Sequence, residues 1–259
     1  MIYVFIAIFG FIIGSFLNVV IYRLYSGDNI VKSRSKCVHC QHQLKAIDLV
    51  PFFSWLLLGR KCRYCSKNIS WQYPIVELVT AILFVLGYIV LVGSISLMST
   101  IILLQYVLYL IAASFLIVIF VFDHQHQLIL DKVTIPLMVI AIIFIFILQL
   151  DWLQYLLTAL AGGAWFGWQY VISKGKWIGG GDIRMGIIMG LLLGWPNLIV
   201  ALFIAYILGA MISVYLLVSK KSERGSQIAF GTFLSVATVI TWLWGGELLS
   251  WYLGLFNFL

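Results

Sequence analysis

Residues 99–122 read STIILLQYVLYLIAASFLIVIFVF, and the next residue is Asp123. The run carries no charge. As a helix it rises about 36 Å, enough to cross a hydrocarbon layer of about 30 Å. Membrane β-strands would instead show segments of about ten residues alternating in polarity, and no such alternation is present. The run therefore predicts a membrane helix that ends on a carboxylate.

Working outward, the same texture covers the chain. Of 259 residues, 63% are hydrophobic and 10% charged, and the mean hydropathy is +1.10. Average soluble domains are about half apolar and a quarter charged. This composition excludes an ordinary cytosolic domain, a disordered chain and a small disulfide scaffold, and predicts an all-α polytopic membrane protein embedded in a lipid bilayer. Eight spans are expected, at 1–22, 74–92, 99–122, 133–150, 152–171, 183–195, 198–218 and 228–253. The sixth is short and is expected to start inside the bilayer or to recruit the glycines before it. The first span has no basic region ahead of it and is too long for the core of a cleaved signal peptide. No internal repeat and no low-complexity tract is evident.

A net charge of +7 would suggest nucleic acid in a soluble protein. Here its placement sets orientation, and no nucleic-acid partner is expected. The cations fall in four places: between Arg23 and Lys67, at Lys132, at Lys174, Lys176 and Arg184, and at Lys220, Lys221 and Arg224. The connections at 93–98, 151 and 196–197 carry none. Basic and non-basic loops alternate through eight spans. The positive-inside rule then puts the basic loops in the cytoplasm and both termini outside.

The first loop holds all four cysteines, as Cys37-x-x-Cys40 and Cys62-x-x-Cys65. Two such knuckles supply four thiolates at tetrahedral corners, the pattern of structural zinc. A pair of disulfides is the alternative, disfavoured by a reducing cytoplasm. Lys36, Lys61, Arg63 and Lys67 would offset the charge of a four-thiolate site. His39 and His42 are read as surface residues. The stretch Pro51-Phe52-Phe53-Ser54-Trp55 is too apolar for a free linker, so the loop reads as a zinc-stapled module on the membrane surface. A module of this size needs the metal to fold. The expected organisation is a first helix at 1–22, a four-cysteine loop at 23–73 and a seven-helix core at 74–259.

Among nine acids, Asp123 and Asp182 stand at matched depth near the inner interface. Asp182 follows Gly179-Gly180-Gly181 and opens the sixth span. Ionisable groups at membrane depth are functional candidates. Two carboxylates brought together share one proton, so one can activate a water while the other polarises a carbonyl, which is peptide hydrolysis without a covalent intermediate. The glycines would let the backbone bend and a peptide approach. Taken singly, each aspartate could be a plain helix-end residue. Asp123, His124 and His126 could alternatively ligate a metal from a loop, since neighbours on a helix do not share a face.

At this point the sequence resembles the type IV prepilin peptidases, an intramembrane G-x-G-D aspartic class. The residues carrying the likeness are Gly14-Ser15-Phe16-Leu17-Asn18 through Arg23, the paired C-x-x-C loop with Trp55 and Gly59-Arg60-Lys61-Cys62-Arg63, and Ile69-Ser70-Trp71-Gln72-Tyr73-Pro74 through Glu77-Leu78. They continue with Asp123 followed by Leu130-Asp131, then Gly179-Gly180-Gly181-Asp182, then Phe230-Gly231-Thr232-Phe233-Leu234. The resemblance implies that Asp123 and Asp182 are the catalytic pair, with Asp131 a supporting acid. It implies prepilins or pseudopilins as substrates, cut at the cytoplasmic face of the bacterial inner membrane, and N-methylation of the new terminus from S-adenosylmethionine. The chain departs from the family pattern at Leu130 and Thr232, where proline is usual, at Arg184, where lysine is usual, and in lacking the usual proline at the first knuckle.

Two other classes fit the composition. A transporter would use Asp182 and Glu77 as coupling carboxylates at a broken helix. An assembly factor would dock a partner on the zinc loop. The basic leader expected of a prepilin would need acids to receive it, and Asp48, Asp131 and Glu77 are candidates. No G-x-G-x-x-G follows a strand, so the residues of a methyl-donor pocket are not legible.

Overall fold

The computed structural model describes residues 1–29, 34–93, 99–219 and 229–256. Lys32, Lys220, Lys221, Glu223, Arg224 and Ile228, and the connection at 94–98, lie outside the described residues. Nine helices are present among the described residues: α1 (Ile2–Ser26), α2 (Phe53–Leu57), α3 (Gln72–Leu91), α4 (Thr100–His126), α5 (Asp131–Ile147), α6 (Trp152–Ser173), α7 (Gly180–Leu193), α8 (Asn197–Val218) and α9 (Phe230–Phe256). The described residues hold no β-strand beyond two isolated bridges in the cysteine loop. The protein is all-α, and α1, α3, α4, α8 and α9 are long and apolar enough to cross a membrane. Four helices fall short of that standard, the five-residue α2 among them. At 17 and 14 residues, α5 and α7 are brief, and α6 is diluted by glycine, glutamine and tryptophan.

Helix ends shift by a few residues from the sequence expectation, for local reasons. α4 continues past Asp123 to His126, and Gln127 then turns the chain with φ +52 while its N–H bonds the Asp123 carbonyl. α6 starts where Asp151 accepts N–H bonds from Leu153 and Gln154, an N-cap that satisfies two orphan donors. α7 begins at Gly180, so Asp182 lies inside its first turn rather than ahead of it.

The chain divides into two compact units, one of Met1–Ile102 with Tyr109–Val118 and one of Leu103–Leu108 with Ile119–Leu259. In the first, α1 packs on α3 through Gly10 and Gly14. A Cβ at Gly10 would lie 2.5 Å from the Ala81 Cα, and one at Gly14 would lie 2.6 Å from the Glu77 Cα. In the second, α6 meets α7 main chain to main chain: Gly162 faces Gly186, and Gly190 faces Ala159. Each pair uses a G-x-x-x-G spacing, Gly10/Gly14 and Gly186/Gly190. Lipid tails are as apolar as leucine, so such helices associate by close van der Waals packing rather than by escape from water. α7 is the centre of its unit: Met185, Ile188 and Met189 are fully buried, with α5, α6, α8 and α9 all in contact with it.

The cysteine loop overturns the expectation of no internal repeat. Residues 35–44 and 60–69 fold alike. The bridge Lys36–Gln43 matches Lys61–Asn68. The bond from the Cys37 N–H to the His42 carbonyl matches that from Cys62 to Lys67, and Gln41 and Ser66 bond back to Cys37 and Cys62. Gln41 and Ser66 both adopt positive φ, 58° and 56°. The strings KCVHCQHQL and KCRYCSKNI are the signal. It is too short and too diverged at its variable positions to stand out unaided.

Candidate active site

Asp123 and Asp182 are brought together within the second unit. Their side chains belong to residues only 4% and 6% exposed, and the turns that hold them both pack on Ile129. Asp123 occupies the last turns of α4, and its Oδ2 accepts the Thr232 N–H at 3.0 Å. Asp182 is the third residue of α7, and its Oδ2 accepts the Gly179 N–H at 3.0 Å. That bond closes the first turn of α7 on itself, which is why an acid at this place nucleates the helix as well as facing Asp123. The Asp123 contact also gives a meaning to Thr232. The resemblance leads one to expect proline there, and proline has no N–H to donate.

The three glycines before Asp182 are not equivalent. A Cβ at Gly180 would meet open space, and one at Gly179 would make ordinary contacts, with Asp182 Oδ2 at 3.7 Å and the Gly181 N at 4.0 Å. At Gly181 a Cβ would lie 2.6 Å from the Ile129 Cβ. Close packing against Ile129 requires glycine at 181.

Asp131 opens α5 and forms a two-pronged ion pair with Arg184, Nε to Oδ1 at 2.8 Å and Nη2 to Oδ2 at 3.1 Å. Both side chains are about half exposed, 51% and 40%. The pair ties the start of α5 to the first turn of α7. Among the described residues, the metal-ligand grouping of Asp123, His124 and His126 does not form. His124 instead stacks on Phe120, and His126 packs on Phe122.

The four cysteines do converge. Their sulfurs all lie within 4.8 Å of one another, and Cys37 Sγ and Cys65 Sγ are 3.9 Å apart. A tetrahedral zinc with Zn–S of about 2.3 Å spaces its sulfurs at about 3.8 Å, so the group fits that ion. All four are free thiols rather than disulfides. Burial pushes the Cys37 thiol up, but the amides of Cys40 and His39 and the neighbouring thiols bring it down to about 7. For Cys65 the Lys67 amide favours ionisation, yet burial and the other three sulfurs push it up to about 11. Four thiolates need a cation to coexist.

The acids expected near the loop have other partners. Asp48 accepts from the Lys45 N–H at 3.1 Å, Arg63 Nε at 2.7 Å and the Tyr64 hydroxyl at 3.1 Å. Burial opposes its charge, yet the Lys45 amide and the Arg63 and Tyr64 side chains hold its carboxyl below the ordinary carboxylate range. It thus joins the segment after the first knuckle to the second knuckle, and the His42 ring lies on Tyr64 at 3.8 Å. Glu77, on α3, accepts the Phe52 N–H at 2.6 Å and a bond from the Ser15 hydroxyl. Sequence reasoning missed this latch, because nothing in a linear pattern pairs residue 52 with 77.

Fold and site define a helical membrane protein that carries a buried acid pair in one unit and a four-sulfur metal module in the other. Residues 8–91 match the family model described as the bacterial peptidase A24 N-terminal domain, and residues 110–214 match that of the type IV leader peptidase family. The chain belongs to the type IV leader peptidase family. It is 31% identical over 275 residues to a prepilin leader peptidase/N-methyltransferase of Aeromonas hydrophila, covering 95% of this chain and 92% of that one. Proteins of the same description from Bacillus subtilis and Pseudomonas aeruginosa are 29% and 30% identical. They cover 95% and 94% of this chain and 96% and 91% of their own lengths. No solved structure matches.

Proposed function

We propose that this chain cleaves the leader from prepilins or pseudopilins at the cytoplasmic face of the bacterial inner membrane and N-methylates the exposed amino terminus. Family membership and the names of its relatives support both activities. The observation that carries the hydrolytic step is the presence of two buried carboxylates, Asp123 and Asp182, on turns that pack on one side chain, Ile129, in a helical membrane unit.

Two such groups share one proton. The ionised member takes a proton from water, and the oxygen attacks the scissile carbonyl carbon. The protonated member gives its proton to the carbonyl oxygen. On collapse one hydroxyl of the tetrahedral intermediate returns its proton to the second carboxylate, the C–N bond breaks, and the leaving nitrogen takes the proton held by the first, which restores the pair. Asp131 supports the site through Arg184 rather than at the reacting atoms. Gly179 donates the amide that orients Asp182, and Gly181 admits its neighbour.

In this reading Cys37, Cys40, Cys62 and Cys65 hold a structural zinc. Four protein ligands leave it no position for water, so it staples the loop. S-adenosylmethionine is the implied methyl donor, and its sulfonium supplies the methyl group. No residue is assigned to it. The proposed organisation is a first helix at 1–22, a loop at 23–73 and a core at 74–259. Eight spans (α1 and α3–α9) cross the bilayer, with basic loops inside and both termini outside. α5 and α6 cross it with apolar faces exposed, and α7 crosses it packed against α5, α6, α8 and α9.

The test is cleavage of a prepilin substrate in membranes by wild type, Asp123→Asn and Asp182→Asn, with products read by mass spectrometry. Both variants should lose cleavage at normal protein levels, and the wild-type product should carry one added methyl group. Cleavage at the wild-type rate by either variant would refute the aspartate assignment. A cut product without the methyl would refute the second activity alone.

A further inference from the structure

Between α4 and α5 the chain has only four residues, 127–130. One of them, Ile129, touches both turns that hold the aspartates. A Cβ at Gly181, beside Asp182, would lie 2.6 Å from Ile129 Cβ. A Cβ at Gly231, beside the Thr232 amide that holds Asp123, would lie 2.7 Å from Ile129 Cδ1 and 2.8 Å from Asp123 Oδ2. The two glycines come from helix starts far apart in sequence, α7 and α9, and the same side chain fills the space each leaves.

The linker has little freedom to move. At one end the Gln127 N–H is bonded to the Asp123 carbonyl at 2.8 Å. At the other, Asp131 is held by Arg184, two residues beyond Asp182. Packed interiors transmit small displacements because they have no slack.

From this arrangement we infer that Ile129 is a positioning residue, a spacer that sets the separation of Asp123 and Asp182. It touches no reacting atom. Its Cβ, Cγ1 and Cδ1 all lie against the Asp182 turn, and its Cδ1 also lies against the turn that holds Asp123. This inference rests on the aspartate reading above and adds to it the side chain that makes the two acids a pair.

Spacing errors of about 1 Å cost on the order of a hundredfold in rate, so the effect falls on kcat. The experiment uses full-length protein in proteoliposomes with a prepilin substrate. Ile129→Ala should lower kcat by at least about tenfold, with KM within about twofold and protein level and melting temperature retained. Ile129→Val loses only Cδ1, which meets Gly231 and also lies near Gly181, and should fall between. Gly181→Ala should be inactive, and adding Ile129→Gly should restore at least about tenfold, because the Cβ that obstructs position 181 is gone, whereas adding Ile129→Ala keeps that Cβ and should not. Gly231→Ala should not be rescued in the same way, since Asp123 Oδ2 also blocks that Cβ.

Wild-type kcat in Ile129→Ala would overturn the inference, and so would a Gly181→Ala/Ile129→Gly double variant no better than Gly181→Ala. If Gly181→Ala does not accumulate, the order of kcat among Ile, Val and Ala at 129 decides. Cleavage retained by Asp182→Asn would instead overturn the aspartate reading, and a loss of kcat confined to Ile129→Ala leaves that reading standing.

Discussion

Replacing Glu77 with leucine should free the apolar segment between the two knuckles. Phe52 sits at φ 60° and ψ −52°, and the Phe53 N–H bonds the Pro51 carbonyl at 2.6 Å. These define a γ-turn of the rare, strained hand, costing about 1–3 kcal/mol at a non-glycine residue. The Phe52 amide is held by Glu77 Oε2 at 2.6 Å, and the Phe52 ring packs between Phe11 and Phe53 at 6.0 and 5.9 Å. A bond to a buried carboxyl is worth about 1.5–3 kcal/mol. Losing about 2 kcal/mol raises the population of the opened segment about thirtyfold, since about 1.4 kcal/mol is a factor of ten. Hydrogen exchange read by mass spectrometry over residues 50–58 should therefore accelerate about thirtyfold in Glu77→Leu. Glu77→Gln keeps an acceptor oxygen and should accelerate far less. Metal content should stay the same in both. Exchange at the wild-type rate in Glu77→Leu would refute the latch.

Further outcomes are expected elsewhere. Zinc should be present at one ion per chain by elemental analysis. Cys62→Ser should abolish it and open residues 35–69 to protease, whereas zinc retained by that variant would remove the four-thiolate site. Gly190→Leu should separate α6 from α7 and lower the melting temperature in detergent, while Gly254→Ala, where a Cβ meets open space, should leave it unchanged. Thr232→Ala keeps the amide that bonds Asp123 and should cleave at the wild-type rate. Thr232→Pro removes a bond of about 1.5–3 kcal/mol, so equal rates in the two would show the amide to be idle. The half-exposed Asp131–Arg184 pair should be worth under about 1 kcal/mol, so Asp131→Asn should shift the melting temperature little, and less still at high salt.

Composition made the helical membrane class legible, and the rare acids and paired cysteines marked both candidate sites. These signals are local. A run of apolar residues, or two thiols three positions apart, announces itself without a partner. What escaped was relational. Glu77 and Asp48 looked like acids free to receive a basic peptide. Their side chains are instead engaged with Phe52 and Ser15, and with Lys45, Arg63 and Tyr64. Of the three acids considered for that role, Asp131 alone remains well exposed. The glycines ahead of Asp182 suggested room for substrate, yet Gly181 is matched to Ile129, and no pattern along the chain joins those two. Gly186 and Gly190 carried a spacing that could have been recognised. Their meaning depended on Ala159 and Gly162 lying opposite, which only the fold supplies.

The contact of α6 with α7 has a thermodynamic consequence. Ala159, Gly162, Gly186 and Gly190 have no side-chain rotamers to freeze when these surfaces come together. The usual entropic penalty of ordering side chains, which grows with temperature, is reduced along that seam to the few, such as Phe166 and Ile187, that meet a glycine across it. Asp182 is thus borne by a helix seated peptide plane against peptide plane, and heating should loosen other contacts of the unit before it loosens this one.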